Sequence, residues 1–130
     1  MHIVFEKPPN FAAIDRAFHV AGQPILFAWQ GIIYNPERIA VPPFLIAHET
    51  VHGARQKDDP AGWWQRYIDD PAFRLKEELQ AHKAELACIC LGVKDRNRRA
   101  RFLQITASRL AHPIYGGNIS VLDAIALLRH

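Results

Sequence analysis

Five residues near the middle of the chain, His48-Glu49-Thr50-Val51-His52, constrain its fold more than any other stretch. Helical residues four apart share a face, so His48 and His52 can present two imidazoles to one metal ion while Glu49 points at its open side. With seven His among 130 residues, shuffling yields such an H-E-x-x-H string about 0.02 times per chain. Coincidence is therefore a weaker rival than a helix that happens to carry two histidines and a solvated Glu. The string points to a hydrolytic zinc site, which needs a core beneath it and a second element to complete it.

The helix itself has clear bounds. Pro43 suits the first helical position, where its missing N–H costs nothing, and the helix is expected from Pro43 to about Lys57. With His48 at 0°, His52 falls at about 40°, and Phe44, Ala47, Val51 and Ala54 fall between about −40° and −120°. The histidines border the apolar face, at the rim of a core where they are held firmly and a substrate can still approach.

At 49% hydrophobic content the chain can bury one core, and residues 1–130 are read as a single domain. The start, MHIVFEKPPN, has no positive n-region, apolar run or cleavage site, and no apolar stretch approaches the ~18 residues of a membrane span. Cys88 and Cys90 lie two apart on a helix, about 200° around it, which argues against a mutual disulfide. They fit a reducing, cytoplasmic setting. The net charge of +3 is uneven: the basic excess is C-terminal, centred on Lys94 to Arg101 (KDRNRRAR). Such a stripe can contact nucleic acid or an acidic partner, although a short basic run at a helix start is commonly a solvated face.

Along the chain, His2 to Glu6 reads as a first strand and Phe11 to Val20 as a helix with apolar spacing. Ile25 to Tyr34 reads as a hairpin or one bent strand broken at Gln30-Gly31, and Arg38 to Val41 as a short extended piece. After the metal helix, Asp58 to Gly62 is a loop and Trp63 to Ile68 a short amphipathic helix. Asp70-Pro71 caps and opens a long helix to about Leu91, stopped by Gly92. Lys94 to about Ala111 is another helix, apolar at Phe102, Ile105 and Leu110. Ile114 to Ile119 is a loop, and Ser120 caps a last helix packing through Val121, Leu122, Ile125 and Leu128. The fold class is α+β: a small N-terminal antiparallel or mixed sheet packed on the H-E-x-x-H helix, then a mostly helical C-terminal half.

The third ligand is sought in two places. Asp58 lies six residues after His52, but Arg55 stands where a sharp turn back to the metal calls for Gly. The helix from Pro71 offers Glu77, Glu78 and Glu85. With Leu75 at 0°, Leu79, Leu86 and His82 lie within about 40° of it. Glu78 lies at about −60°, Glu85 at about −80° and Glu77 at about 200°. Glu78 thus borders the core as the histidines do, Glu77 is expected to face water, and Glu85 is the reserve. His82 is suited to orienting a ligand or packing.

These two stretches, HETVH on one helix and RLKEELQAH on the next, resemble the gluzincin branch of the zincin metallopeptidases in a compact form. Residues His48 to Gln56, WWQRY and FRLKEELQAH are also similar to small phage-type metallopeptidase-like proteins. The resemblance covers roughly residues 40 to 92. It implies a zincin-like fold in which an edge strand, Ile25 to Tyr34 or Arg38 to Val41, lies above the metal helix and receives an extended peptide. One departure is visible: where an acidic residue commonly follows the ligand glutamate by four, this chain has His82.

The expected function is peptide-bond hydrolysis on a peptide or protein substrate. Zn2+ is held by His48, His52 and Glu78, and Glu49 is the general base. Tyr115, in a Gly-flanked loop, is the first candidate to stabilise the oxyanion, followed by Tyr67 and His112. Trp63 and Trp64 either line a pocket or pack in the core. Two alternatives share the sequence. One is a zinc-containing binding protein using Arg96, Arg98, Arg99 and Arg101; the other is a zinc hydrolase acting on non-peptide amides.

Overall fold

The structure, a computed structural model, describes residues 2–115 and 119–130, and the side chain of Tyr115 lies outside the described part. It is α+β and mostly helical. Three short strands, β1 (His2–Val4), β2 (Phe27–Trp29) and β3 (Ile32–Tyr34), alternate with α1 (Phe11–Phe18) and precede α2 (Pro43–Gln56), α3 (Pro60–Asp69), α4 (Pro71–Ile89), α5 (Arg96–Leu110) and α6 (Val121–Leu128). A 3-10 turn occupies Pro113–Tyr115.

The sheet is mixed, in the order β1-β3-β2. β2 and β3 form the expected hairpin, with Trp29 opposite Ile32 across the Gln30-Gly31 turn, and β1 joins β3 in parallel. Arg38 to Val41, expected to be extended and sheet-like, is not a strand. The Asn35 side chain occupies that segment instead, donating to the Ile39 carbonyl and accepting from the Ile39 N–H, both at 2.9 Å. A side-chain amide that satisfies both backbone groups of one residue removes the need for a ladder there.

Caps set the helix boundaries. Pro43 opens α2, the Asp70 carboxylate accepts from the N–H groups of Ala72 and Phe73 to start α4, and Ser120 Oγ accepts from Asp123 N–H to start α6. α3 begins three residues earlier than its apolar pattern suggested. Asp59 caps it by accepting from Gly62 N–H, and Pro60 takes the first helical position, so the expected loop is its first turn.

Two apolar clusters flank the α2–α4 pair. Ile14, Val20, Phe27, Trp63, Trp64 and Tyr67 join α1, β2 and α3. Ala107, Leu110, Ala124 and Leu128 join α5 and α6, with Leu75, Leu79 and Leu86 of α4 packed against them. The small residues Thr106 and Ala107 take the buried positions on α5, whereas Ile105, expected inside, is half exposed. Leu122, also expected to pack, is 78% exposed; Ala124 is buried in its stead. Among the described residues no helix is long and apolar enough to cross a membrane.

Candidate metal centre

α2 reaches the sheet through an unusually close approach. Gly53, the residue after His52, packs so tightly on the hairpin turn that a Cβ there would stand 2.1 Å from the Gln30 carbonyl oxygen. One turn beyond His52, the Gln56 side chain donates to the Ala28 carbonyl at 2.9 Å and accepts from Gln30 N–H at 2.6 Å. The histidine-bearing turn of α2 is thereby fixed against the sheet on one side and α4 on the other.

Across from it, α4 supplies Glu78. Glu78 Oε2 lies 2.9 Å from His52 Nε2, and Oε1 lies 3.3 Å from His48 Nε2. Ligand atoms of His48, His52 and Glu78 all fall within 4.8 Å of one another, so these buried groups could hold a metal ion. Neighbouring ligands of a tetrahedral ion with bonds of ~2.1 Å stand roughly 3.4 Å apart, close to the separations here. The chemistry of the donor set also fits: Glu78 Oε1 is buried and, beyond its 3.3 Å ion-pair contact with His48 and a 3.5 Å approach of His82, makes no hydrogen bond among the described residues. Such a lone pair is costly to bury unless something binds it.

Other side chains fix these ligands. Tyr67 Oη donates to Glu78 Oε2 at 2.7 Å. His48 Nδ1 lies 3.0 Å from Glu85 Oε1, and Arg109 Nη1 donates to Glu85 Oε2 at 2.6 Å. Glu85 therefore orients His48 so that Nε2 is left to face Glu78, the arrangement by which a carboxylate raises the basicity of a metal-binding imidazole. His82 Nδ1 donates to the Glu78 carbonyl at 2.7 Å. His82 also shares a second possible metal-binding group with His48 and Glu85. The Glu85 bond to His48 Nδ1 favours the first group, because it leaves Nε2 for the ion.

Charge balance reinforces this reading. Glu49, Glu78 and Glu85 are all buried. Burial opposes charge on His48, but the carboxylates of Glu78 and Glu85 outweigh it and raise its pKa to about 10. Burial likewise works against the Glu78 charge, yet His52 and His48 hold its carboxyl well below the usual range. Glu49 is pushed up by burial, with His48 and His52 offsetting part of the shift. Burial drives His82 down to about 4, leaving it neutral. A divalent ion held by Glu78 would take the place of the proton that His48 carries there.

The sequence-derived site residues divide clearly. His48, Glu49, His52 and Glu78 line one cavity of about 250 Å³ together with Trp63, Trp64, Tyr67 and His112. The tryptophans serve both roles considered for them, since they are core residues as well. Asp58 is exposed and absent from both metal-binding groups. Tyr115's side chain is outside the described residues.

Glu77 does not face water; it is 2% exposed. Arg55 binds both its oxygens, through Nε at 2.9 and 3.0 Å and Nη2 at 2.7 Å, and Trp63 Nε1 donates to Oε1 at 2.7 Å. The periodicity argument gave α4 one buried face, whereas α3 and the end of α2 cover a second.

Arg109, α1, Gln23 and Pro24 are cavity lining that the sequence did not point to, whereas Ile25 to Phe27 belong to the strand expected above the metal helix. The only sequence signal for Arg109 was a lone cation beside Leu110 on the inner part of α5. Of the basic run, Arg99 donates to the carbonyls of Cys90 and Val93, closing the α4–α5 corner, and Arg98 lies over Phe102. In comparisons with protein-family models, curated proteins and solved structures, nothing matches the chain. The chemistry has to be read from the geometry itself.

Proposed function

We propose that the protein is a zinc-dependent hydrolase of peptide bonds, compact and zincin-like. The carrying observation is the convergence of His48, His52 and Glu78 beside Glu49 on the floor of one cavity. Two imidazoles and one carboxylate leave a fourth position open, the ligand set of a catalytic zinc centre. Zinc held by these three residues would supply an acidified water and a Lewis acid for the carbonyl.

The protein's own groups account for the remaining steps. Glu49, a buried carboxylate on the turn between the two histidines, accepts the water proton and delivers it to the departing amine; burial raises its proton affinity toward what that exchange needs. Tyr67 and Glu85 hold Glu78 and His48 in place, and the burial of His48, Glu49, His52 and Glu78 strengthens each charge interaction on the floor. Tyr67 Oη is committed to Glu78, so its first role is positioning that ligand.

The test is Glu49→Gln. Zinc content, measured by atomic emission, is expected to stay at the wild-type ratio while hydrolysis of a general peptide substrate falls about 10²–10⁴-fold. Unchanged hydrolysis would remove Glu49 as the base. In the same experiment Glu78→Ala is expected to lose zinc and Asp58→Ala to retain it; the reverse pattern would overturn the ligand set.

A further inference from the structure

The site's surroundings restrict what it can take. One way for a mid-chain substrate segment to bind is to pair with a free sheet edge. β2 is the edge beside α2, and Ala28 is its middle residue. The Ala28 carbonyl already accepts from Gln56 Nε2 at 2.9 Å and Trp64 Nε1 at 3.0 Å, and the residue is buried. Further along the same edge, the Gln30 N–H is given to Gln56 Oε1. At the Ala28 carbonyl and the Gln30 N–H, the first of the two edges that the zincin resemblance offered to substrate, Ile25 to Tyr34, is occupied by the protein's own side chains.

The cavity instead has the scale of one residue. Its volume of about 250 Å³ falls below the roughly 300–1,000 Å³ of pockets that enclose drug-sized ligands. Above the polar floor its walls are apolar, with Phe18, Ile25, Phe27, Trp64 and Ile114 among them. The charged lining is asymmetric. Its two carboxylates, Glu49 and Glu78, are committed to proton transfer and the metal, so neither is free to receive an α-ammonium group. The remaining ionisable lining residues outside the histidine pair are Tyr67, already bonded to Glu78, the cation Arg109, and His112, whose Nδ1 accepts from Ile114 N–H at 3.1 Å and leaves Nε2 to face outward. Arg109 is anchored through Nη1 to Glu85, one carboxylate away from His48, and a guanidinium has further N–H donors to offer.

We infer that the site removes or releases a carboxy-terminal apolar residue, from a short peptide or an acylated amino acid. The residue's side chain fills the apolar cavity, and its free carboxylate meets Arg109, with His112 at the same rim. This inference rests on the peptidase reading above. In the reaction the last amide C–N bond breaks, the water hydroxyl joins the acyl carbon, and the proton passes to the nitrogen of the released amino acid.

The experiment uses zinc-loaded protein and three blocked dipeptides: N-acyl-Phe-Phe as the free acid, the same compound as its carboxamide, and N-acyl-Phe-Asp. The free acid is expected to exceed each of the others at least tenfold in kcat/KM. Arg109→Gln is expected to bring the acid-to-amide ratio toward one; loss of its support to Glu85 alone would lower both substrates and leave the ratio unchanged. Equal turnover of acid and amide, or efficient cleavage in the middle of a long peptide, overturns the inference and leaves the peptidase reading intact. Should no peptide be cleaved, that reading fails separately, and binding decides the pocket. N-acetyl-phenylalanine and its amide are titrated against the protein by the fluorescence of Trp63 and Trp64. At least tenfold tighter binding of the acid supports the pocket assignment, and equal or absent binding overturns it.

Discussion

Gly53→Ala is the substitution for which the geometry makes the sharpest demand. Inside a helix the change should help, since Ala is favoured over Gly by up to about 1 kcal/mol. Here the new Cβ would meet a backbone oxygen, that of Gln30, at 2.1 Å, where ordinary contact begins at 3.4 Å. The two backbones must therefore separate by about 1.3 Å. The turn cannot simply swing aside, because Gln30 is held by Gln56 and by the Lys57 carbonyl and already has a positive φ of 52°.

Overpacking a rigid contact costs roughly 1–3 kcal/mol, and backbone on both sides places this case at the upper end. After the helix-propensity gain, the expected net loss is about 2 kcal/mol, or roughly 6–10 °C in the unfolding midpoint of a domain this size. Because Gly53 follows His52 directly, the displacement also moves a proposed ligand, and zinc affinity is expected to fall at least tenfold. Urea denaturation and a competitive zinc titration measure the two effects. A variant stabilised by about 1 kcal/mol with unaltered zinc affinity would refute the close packing of α2 on the hairpin.

Two further outcomes test the support around the site. Glu85→Gln leaves His48 without its charged partner and is expected to weaken zinc binding 10–100-fold while sparing the ligands themselves, as a chelator titration would report; unchanged affinity would mean that Glu85 serves only packing. Glu77 offers a pH prediction. Burial raises its pKa, but the bonds from Arg55 and Trp63 outweigh this and hold it below its ordinary value of 4.5. A depressed carboxylate contributes stability above that value and loses it as pH falls through the lower folded-state value. Glu77→Gln should therefore cost about 2 kcal/mol at neutral pH and flatten the acid limb of the stability curve in pH-dependent urea titrations. An acid limb identical to wild type would exclude the Arg55–Glu77 pair as its cause.

What the sequence made legible followed short-range rules. HETVH needs only the helical repeat, and Pro43, Asp70-Pro71 and Ser120 mark helix starts through local chemistry that tertiary structure leaves intact. Glu78 was reachable because it borders the leucine stripe of α4. The leucine stripe describes one face, and Glu77 lies off it: α4 also buries Arg74, Glu77 and Glu85 against neighbours that hydropathy cannot reveal. Polar burial depends on partners distant in sequence, such as Arg55 for Glu77 and Arg109 for Glu85. Thr106 and Ala107 were hidden for another reason: close helix packing favours small side chains, which carry little hydrophobic signal. Asp59-Pro60 was legible but overlooked, since Gly62 disguised the first turn of α3 as a loop.

Gln56 has a consequence beyond the site. A short sheet with a bare edge is a template on which another copy of the same chain can build, strand upon strand. Here a single side-chain amide occupies the carbonyl of Ala28 and the N–H of Gln30, imitating the peptide group that a fourth strand would have brought. The sheet is finished from within by the helix that carries the histidines. Along that margin the protein is protected against edge-to-edge self-association without a lysine, proline or bulge to enforce it.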